Sequence, residues 1–192
     1  MKRLLRGNLM AVAGFICEKT AVKLKLADMK KFPKRTYSNP AQFLSDIGFI
    51  LKNRRKLKES RLSGFPSPAF RERLMLAVTG VNECRFCTYA HTKMALESGI
   101  SQPEVKALLD GDFGNCPSGE LNAVLYAQHW ADTAAKPSAE MQSKLEADYG
   151  AEKAGFIHLY LRMIRIGNLS GNTADKFLYY LTFGKMGLNR QP

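Results

Sequence analysis

Apolar residues recur every three or four positions along most of the chain, which is the spacing of one face of an α-helix. The clearest case follows Asn39-Pro40, where proline suits the first position of a helix. The apolar positions of this segment are Phe43, Leu44, Ile47, Ile50 and Leu51. No stretch has the strict alternation of a half-buried strand or the turn residues of a hairpin. The pattern therefore predicts an all-α protein.

Breaks in the pattern predict where the helices begin and end. The segment RLSGFPSP (61–68) predicts a loop, and the helix after it is expected to bury Leu74, Leu76, Ala77 and Val78. A second helix is predicted from Cys84 to Ser98, where Gly99 ends it.

The second half of the chain continues in the same way. Ser101 and Glu104 form a predicted capping box for a helix that ends near Leu109. The segment 110–119 predicts a loop, and further helices are predicted over about 120–135, 138–150, 151–168 and 173–183. Asn168 and Asn172 bracket the last predicted break, where capping is the simplest role for them.

The length and composition indicate one soluble domain. The chain has 192 residues, of which 45% are apolar and 24% charged. No apolar run approaches the roughly 20 residues that span a bilayer. The basic and apolar start resembles a secretory signal, but Glu18 and Lys19 stand where a small-residue cleavage site belongs. We therefore predict a cytoplasmic protein, with a helical domain over 61–192 and an extension over 1–60.

The positive charge is concentrated in the first third of the chain. The formal net charge is +12, of which residues 1–73 carry +13 and residues 74–192 carry −1. The segments KKFPKR (30–35) and KNRRKLK (52–58) contribute most of it. Such runs attract nucleic acid or anionic membrane, although a solvated helix face is the simpler interpretation. No recognised nucleic-acid motif accompanies the charge.

The segment ECRFCTYAH (83–91) carries the candidate chemistry. If Cys84 opens a helix, Cys87 and His91 follow on the same face, three and seven positions later. A helix N-terminus and a neighbouring thiol both favour a thiolate, and an imidazole can accept the proton. After one sulfur is oxidised, the other can close a disulfide locally. Glu72, on the preceding predicted helix, is placed to orient His91.

Other interpretations of the cysteine pair stay open. Cys84, Cys87 and His91 supply three zinc ligands, and Cys116 or His129 a fourth, although the usual second ligand pair is absent. Haem attachment of the c type needs histidine where Thr88 stands. Two buried structural thiols are the remaining alternative. Outside this group, we interpret Cys17 and Cys116 as isolated thiols, and His129 and His158 as packed or surface residues.

The four positions together resemble a known family. Glu72, twelve positions before Cys84, the pair Cys84-Arg85-Phe86-Cys87, and His91 reproduce the motif of the alkylhydroperoxidase D-like branch of the carboxymuconolactone decarboxylase family. The resemblance is specific over about 70–101, and the helical pattern resembles the family domain more loosely over about 65–190. The cysteine pair argues against lactone decarboxylation, because the decarboxylase branch does not depend on it.

The resemblance implies both an activity and an assembly. It implies a peroxiredoxin-type peroxidase, with Cys87 as the thiol that attacks a hydroperoxide and Cys84 as the resolving thiol. It implies that His91 and Glu72 relay protons, that a lipoyl-type or thioredoxin-type thiol is the reductant, and that the subunits form homotrimers or hexamers. No cofactor and no metal are expected.

One position departs from the family pattern. The best-studied peroxidases carry a second histidine just before the second cysteine, where this chain has Phe86. The peroxide specificity therefore stays open. A disulfide reductase with little peroxidase activity is the alternative enzyme. The alternative from another class is a zinc-stabilised or basic-surface protein that docks on nucleic acid or anionic membrane.

Overall fold

A computed structural model describes residues 30–188 of the chain. The predictions for Cys17, for the basic start and for residues 1–29 of the extension over 1–60 lie outside the described residues. Residues 34–173 form one compact unit, and the described residues before and after that range belong to a second. The boundary that we place between residues 60 and 61 stays a prediction.

Seven α-helices and no strands occur between residues 30 and 188, which confirms the all-α prediction. The helices are α1 (Pro40–Lys52), α2 (Arg54–Ser63), α3 (Pro68–Asn82), α4 (Arg85–Glu97), α5 (Gln102–Asp110), α6 (Ser118–Asp132) and α7 (Ala139–Leu181). Among these helices, none has both the length and the apolar character that a bilayer crossing requires.

Three helices begin at the polar residues that the sequence offers as caps. The side chain of Asn39 accepts a hydrogen bond from the amide of Gln42, and Ser101 accepts one from the amide of Glu104. Ser67 caps α3 in the same way. Each side-chain oxygen satisfies a main-chain donor that the first turn leaves without a partner. The predicted starts of α1 and α5 are therefore confirmed.

The last helix corrects one prediction. Helix α7 is interrupted at Gly150, whose φ of 76° and ψ of 157° are not helical, close to the predicted break. The second predicted break, between Asn168 and Thr173, is wrong, because the helix continues through it. Asn168 and Asn172 are fully buried inside the helix, where their side chains bond to groups outside it rather than capping its ends.

Helix α3 is central to the unit formed by residues 34–173, because it packs against α4, α5 and α6. Its residues Leu74, Leu76, Ala77 and Val78 are buried, as predicted. Gly80 permits the close approach of α5, since a Cβ atom there would lie 2.4 Å from the carbonyl oxygen of Leu109. This packing holds α3 firmly beside the start of α4.

A buried carboxylate connects α1 to α7 within the same unit. Asp46 is 1% exposed and accepts hydrogen bonds from the hydroxyl of Tyr37, at 2.9 Å, and from Nη1 of Arg162, at 2.6 Å. Arg165 also pairs with it. Burial, and next the hydrogen bond to Asp46, raise the pKa of Tyr37 above its ordinary value. The carboxylate is therefore fully paired, which is the condition for burying a charge at low cost.

Candidate active site

A tight turn between α3 and α4 positions the two cysteines. Helix α3 ends at Asn82, and Glu83 adopts a left-handed conformation with φ of 55°. Cys84 is then the N-cap residue of α4, and Cys87 lies in the first turn of that helix. His91 follows one turn later on the same helix. The break and restart that the sequence predicts at this point are therefore present.

The sulfur atoms of the cysteine pair are in direct contact. Sγ of Cys84 lies 3.0 Å from Sγ of Cys87, and no disulfide bond joins them. The Cys84 side chain is completely buried, whereas Cys87 is only partly buried. Closing a disulfide, with an S–S bond of about 2.05 Å, therefore requires only a small local movement.

The imidazole of His91 is held by a buried carboxylate. Nδ1 of His91 lies 2.7 Å from Oε2 of Glu72, and Glu72 is 1% exposed. Nε of Arg71 lies 3.3 Å from the other carboxylate oxygen. If Nδ1 carries the ring hydrogen and donates a hydrogen bond to the carboxylate, Nε2 retains its lone pair and can act as a base. The two helices thus bring Glu72 and His91 together, as their spacing predicts.

The environment of Cys87 favours the neutral thiol. The hydrogen bond with the sulfur of Cys84 raises the pKa of the Cys87 thiol, and burial raises this pKa further. A hydrogen bond with the side chain of Asn168 acts in the opposite direction and lowers the pKa. A proton acceptor is therefore needed before this sulfur can react as a nucleophile.

A buried polar layer lies beside the cysteine pair, and the sequence analysis did not assign it to the site. Oδ1 of Asn168 accepts a hydrogen bond from Nδ2 of Asn82, at 3.2 Å. Nδ2 of Asn168 lies 3.2 Å from Oγ1 of Thr79. All three residues are buried. The signal that points to this layer is the repeated Gly-Asn pair in GNLSGN (167–172), which places two asparagines one turn apart in the helix.

The remaining candidates are distributed elsewhere. Cys116 lies in the electrostatic field of Glu104 and Arg73, and burial raises the pKa of its thiol to about 11. Nε2 of His129 accepts a hydrogen bond from the amide of Ser138. His158 pairs with the hydroxyl of Tyr126, at 3.1 Å. The interpretation of these three residues as peripheral to the site is consistent with their partners.

Zinc has no ligand group among the residues that the structure describes. Nowhere in 30–188 do three or more histidine, cysteine, aspartate or glutamate side chains meet in a geometry that could hold a metal ion. Cys116 lies near Glu104 and Arg73, and His129 bonds to the amide of Ser138. Neither belongs to a ligand group with Cys84 and Cys87. A tetrahedral site needs four such ligands around one point.

An exposed aromatic side chain stands between the two cysteines in the chain. Phe86 is 52% exposed, and the guanidinium carbon of Arg85 lies 4.5 Å from the centre of its ring. Tyr89, on the next turn of α4, is also exposed. The surface beside Cys87 is therefore aromatic where the family pattern has a titratable histidine.

The comparison with protein families agrees with this geometry. Residues 61–129 match the model of the carboxymuconolactone decarboxylase family. Over this segment the chain is similar to that family, which confirms the resemblance seen in the motif. The match covers Glu72, both cysteines and His91, whereas Asn168 lies outside it. No curated protein and no solved structure matches the chain.

Proposed function

We propose that the protein is a thiol-dependent oxidoreductase that reduces alkyl hydroperoxides through Cys84 and Cys87. The observation that carries the proposal is the contact between the two sulfur atoms, at 3.0 Å, in the first turn of α4. The pair formed by Glu72 on α3 and His91 on α4 supports it, because a buried carboxylate and an oriented imidazole provide a base. The match to the family model over residues 61–129 is compatible with this activity.

The first step oxidises Cys87. His91 takes the thiol proton, and the Cys87 thiolate attacks one oxygen of the hydroperoxide. A sulfur–oxygen bond forms, the oxygen–oxygen bond breaks, and the alkoxide that leaves takes up a proton to become an alcohol. Cys87 becomes a sulfenic acid, oxidised by two electrons. Cys87 is assigned this role because the residue is partly exposed, whereas Cys84 is fully buried.

The second step closes the disulfide and the third reopens it. The sulfur of Cys84 displaces water from the sulfenic acid of Cys87, and a disulfide bond forms across the contact that already exists. An external dithiol of the lipoyl or thioredoxin type then reduces this disulfide by exchange and is itself oxidised. The cycle converts one hydroperoxide and one external dithiol into an alcohol, water and an external disulfide.

Phe86 favours an organic hydroperoxide over hydrogen peroxide. Its half-exposed ring lies at the start of α4 between the two cysteines in the chain. An aromatic surface beside the reacting sulfur gains from contact with an apolar alkyl group, and hydrogen peroxide offers no such group.

The alternative function, the reduction of disulfides, uses the same two thiols, whose sulfur atoms are in contact at 3.0 Å. A dithiol of this kind exchanges with a bound disulfide when a base takes its proton, and it does not require a peroxide. The two functions share the residues Cys84 and Cys87 and differ in the oxidant.

Single cysteine variants test the proposal. Cys87→Ser is expected to abolish consumption of an alkyl hydroperoxide in the presence of excess dithiol. Cys84→Ser is expected to accumulate a sulfenic acid on Cys87, which a dimedone-type reagent traps. Cys116→Ser is the matched control and is expected to keep the wild-type rate. Full activity in both Cys84→Ser and Cys87→Ser would show that the pair does not carry the reaction.

The assembly and location belong to the same proposal. The family resemblance supports homotrimers or hexamers, and sedimentation of the purified chain measures the subunit number. The cytoplasmic location rests on the composition of the sequence alone. If the basic first third instead docks on nucleic acid or anionic membrane, binding must weaken steeply with salt and disappear when residues 1–60 are removed.

A further inference from the structure

The segment GNLSGN (167–172) of α7 forms a wall of the cysteine site. A Cβ atom on Gly167 would lie 3.6 Å from Sγ of Cys87, and one on Gly171 would lie 2.8 Å from Sγ of Cys84. The two glycines are four residues apart, so they lie on one face of the helix. The missing side chain of Gly171 leaves the space that the Cys84 sulfur occupies, whereas a Cβ on Gly167 would make an ordinary contact with Cys87.

Asn168 follows the first of these glycines, and its amide is fixed in one orientation. Its Oδ1 accepts a hydrogen bond from Nδ2 of Asn82, at 3.2 Å, which leaves Nδ2 of Asn168 as the donor end. Nδ2 carries two hydrogens, and one of them points to Oγ1 of Thr79, at 3.2 Å. Gly167, the residue before it, lies beside Sγ of Cys87, and Asn168 lowers the pKa of that thiol, which is the effect of a hydrogen-bond donor. The second hydrogen of Nδ2 is the donor that remains for the sulfur.

We propose that Asn168 is a catalytic residue of this site: its amide donates a hydrogen bond to the Cys87 sulfur, stabilises the thiolate and makes Cys87 the attacking thiol. This inference rests on the proposed function, because it assigns a role within the same reaction. It also goes beyond the family motif, which ends at His91.

The physical reason lies in the charge that the sulfur acquires. When the thiol proton passes to the base, the S–H bond breaks and the electron pair stays on sulfur. A neutral amide donor beside that atom stabilises the anion, and the buried setting strengthens the interaction. Contact with Cys84 and burial both oppose ionisation of Cys87, and Asn168 acts against them.

The size of the effect follows from general thiol chemistry. Loss of one hydrogen bond to a charged group shifts a titration midpoint by about one pH unit or more. Below the midpoint, the thiolate fraction falls roughly tenfold, while the remaining thiolate becomes about threefold more nucleophilic. The net rate at neutral pH should therefore fall about threefold. The midpoint is the larger and more specific readout.

The test measures ionisation of Cys87 without any peroxide. In a chain in which Cys17, Cys84 and Cys116 are replaced by serine, the rate of alkylation of Cys87 by iodoacetamide is followed against pH by intact-protein mass spectrometry. Asn168→Ala is expected to raise the midpoint by about one pH unit. Asn168→Asp keeps the size of the side chain and adds a negative charge, so it is expected to raise the midpoint further. This variant tests the role of Asn168 if the alanine variant does not fold.

Asn172→Ala is the matched control. Asn172 is another buried amide on α7, and it donates to the main-chain oxygens of Asn82, at 2.6 Å, and Arg35, at 2.9 Å. Its loss tests the general effect of removing a buried amide, and we expect the parent midpoint. A midpoint that is the same in Asn168→Ala, Asn168→Asp and the parent would overturn the proposal, as would equal shifts in the Asn168 variants and in Asn172→Ala.

The outcome is separable from that of the peroxidase proposal. If the Asn168 variants shift the midpoint but alkyl hydroperoxide forms no disulfide in the wild-type chain, the role of Asn168 stands and the oxidant is wrong. If the hydroperoxide does form the disulfide and the midpoint does not move, the peroxidase proposal stands and the role of Asn168 is wrong.

Discussion

Nδ1 of His91 lies 2.7 Å from Oε2 of Glu72, although the two residues are nineteen positions apart in the chain. Glu72 is buried on α3, and His91 is on α4, so the turn at Glu83 and Cys84 brings them together. A carboxylate in this position orients the imidazole and raises its basicity, as it does for histidines in other sites.

The first prediction concerns Glu72→Gln. The amide keeps the size of the side chain but removes the negative charge, so His91 becomes a weaker base. We expect oxidation of Cys87 by an alkyl hydroperoxide to slow by roughly 10- to 100-fold. Rapid quenching followed by mass spectrometry of the thiols measures the rate.

Glu104→Gln is the matched control for this variant. Glu104 is also largely buried, and its carboxylate pairs with Nε of Arg73 at 2.7 Å. We expect it to affect stability and leave the oxidation rate unchanged. An oxidation rate in Glu72→Gln equal to that in Glu104→Gln would contradict the assigned role.

The second prediction uses the glycines of α7. Gly171→Ala places a methyl group 2.8 Å from Sγ of Cys84, so the sulfur must move. We expect the free energy of unfolding to fall by about 1–3 kcal/mol and disulfide closure to slow. Urea unfolding measures the first effect and the quenched oxidation assay the second.

Gly155→Ala provides the comparison on the same helix. No atom lies within 4 Å of a Cβ built at Gly155, so alanine is expected to stabilise α7 by about 0.5–1 kcal/mol. Equal effects of the two substitutions would mean that the glycine at 171 does not accommodate Cys84.

The third prediction concerns the carboxylate that connects α1 to α7. Asp46→Asn leaves the guanidinium groups of Arg162 and Arg165 without their negative partner. Breaking a buried pair in this way is expected to lower the free energy of unfolding by about 3–5 kcal/mol. Glu59→Gln breaks the exposed pair with Arg55 and should cost less than about 1 kcal/mol. Similar losses in urea unfolding for the two variants would contradict the importance of the buried pair.

The fourth prediction is a pH dependence of stability. Burial raises the pKa of the Cys116 thiol to about 11. The contact with Cys84 raises the pKa of the Cys87 thiol, and burial adds to this effect. A thiol in the unfolded chain titrates near about 8.5. Above that pH the unfolded state binds fewer protons than the folded state, so the free energy of unfolding must fall as pH rises.

Urea unfolding under reducing conditions at about pH 8 and about pH 9.5 measures this fall, below the range in which tyrosine ionises. Cys116→Ser removes one contribution and is expected to flatten the slope. A slope that is identical in wild type and Cys116→Ser would show that Cys116 does not contribute.

The local chemistry of the chain predicts much of this fold. Asn39, Ser101 and the apolar spacing of α3 determine helix starts and buried positions through contacts within a few residues, which a pattern can reveal. The family motif also predicts Glu72 and His91 as partners, whereas their spacing alone only makes the contact possible, because consecutive helices are usually adjacent in space.

The polar layer could not be predicted in the same way. Asn168 stands about eighty residues after Cys87 in the chain, and only tertiary packing brings the two together. From the sequence, asparagines next to glycines indicate a helix boundary, since both residues weaken helices. Here Gly171 gives room to the Cys84 sulfur and the asparagines bond to buried groups, so a continuous helix replaces the predicted break.

The most direct test of the central claim is to map the cysteines after a single addition of oxidant. Fully reduced protein, with its metal content checked, receives one equivalent of an alkyl hydroperoxide and is digested under conditions that prevent exchange. Peptide mass spectrometry then identifies the disulfides. We predict rapid and selective formation of the Cys84–Cys87 disulfide, with Cys116 still reduced. Thiols at Cys84 and Cys87 that stay reduced would contradict the peroxidase proposal.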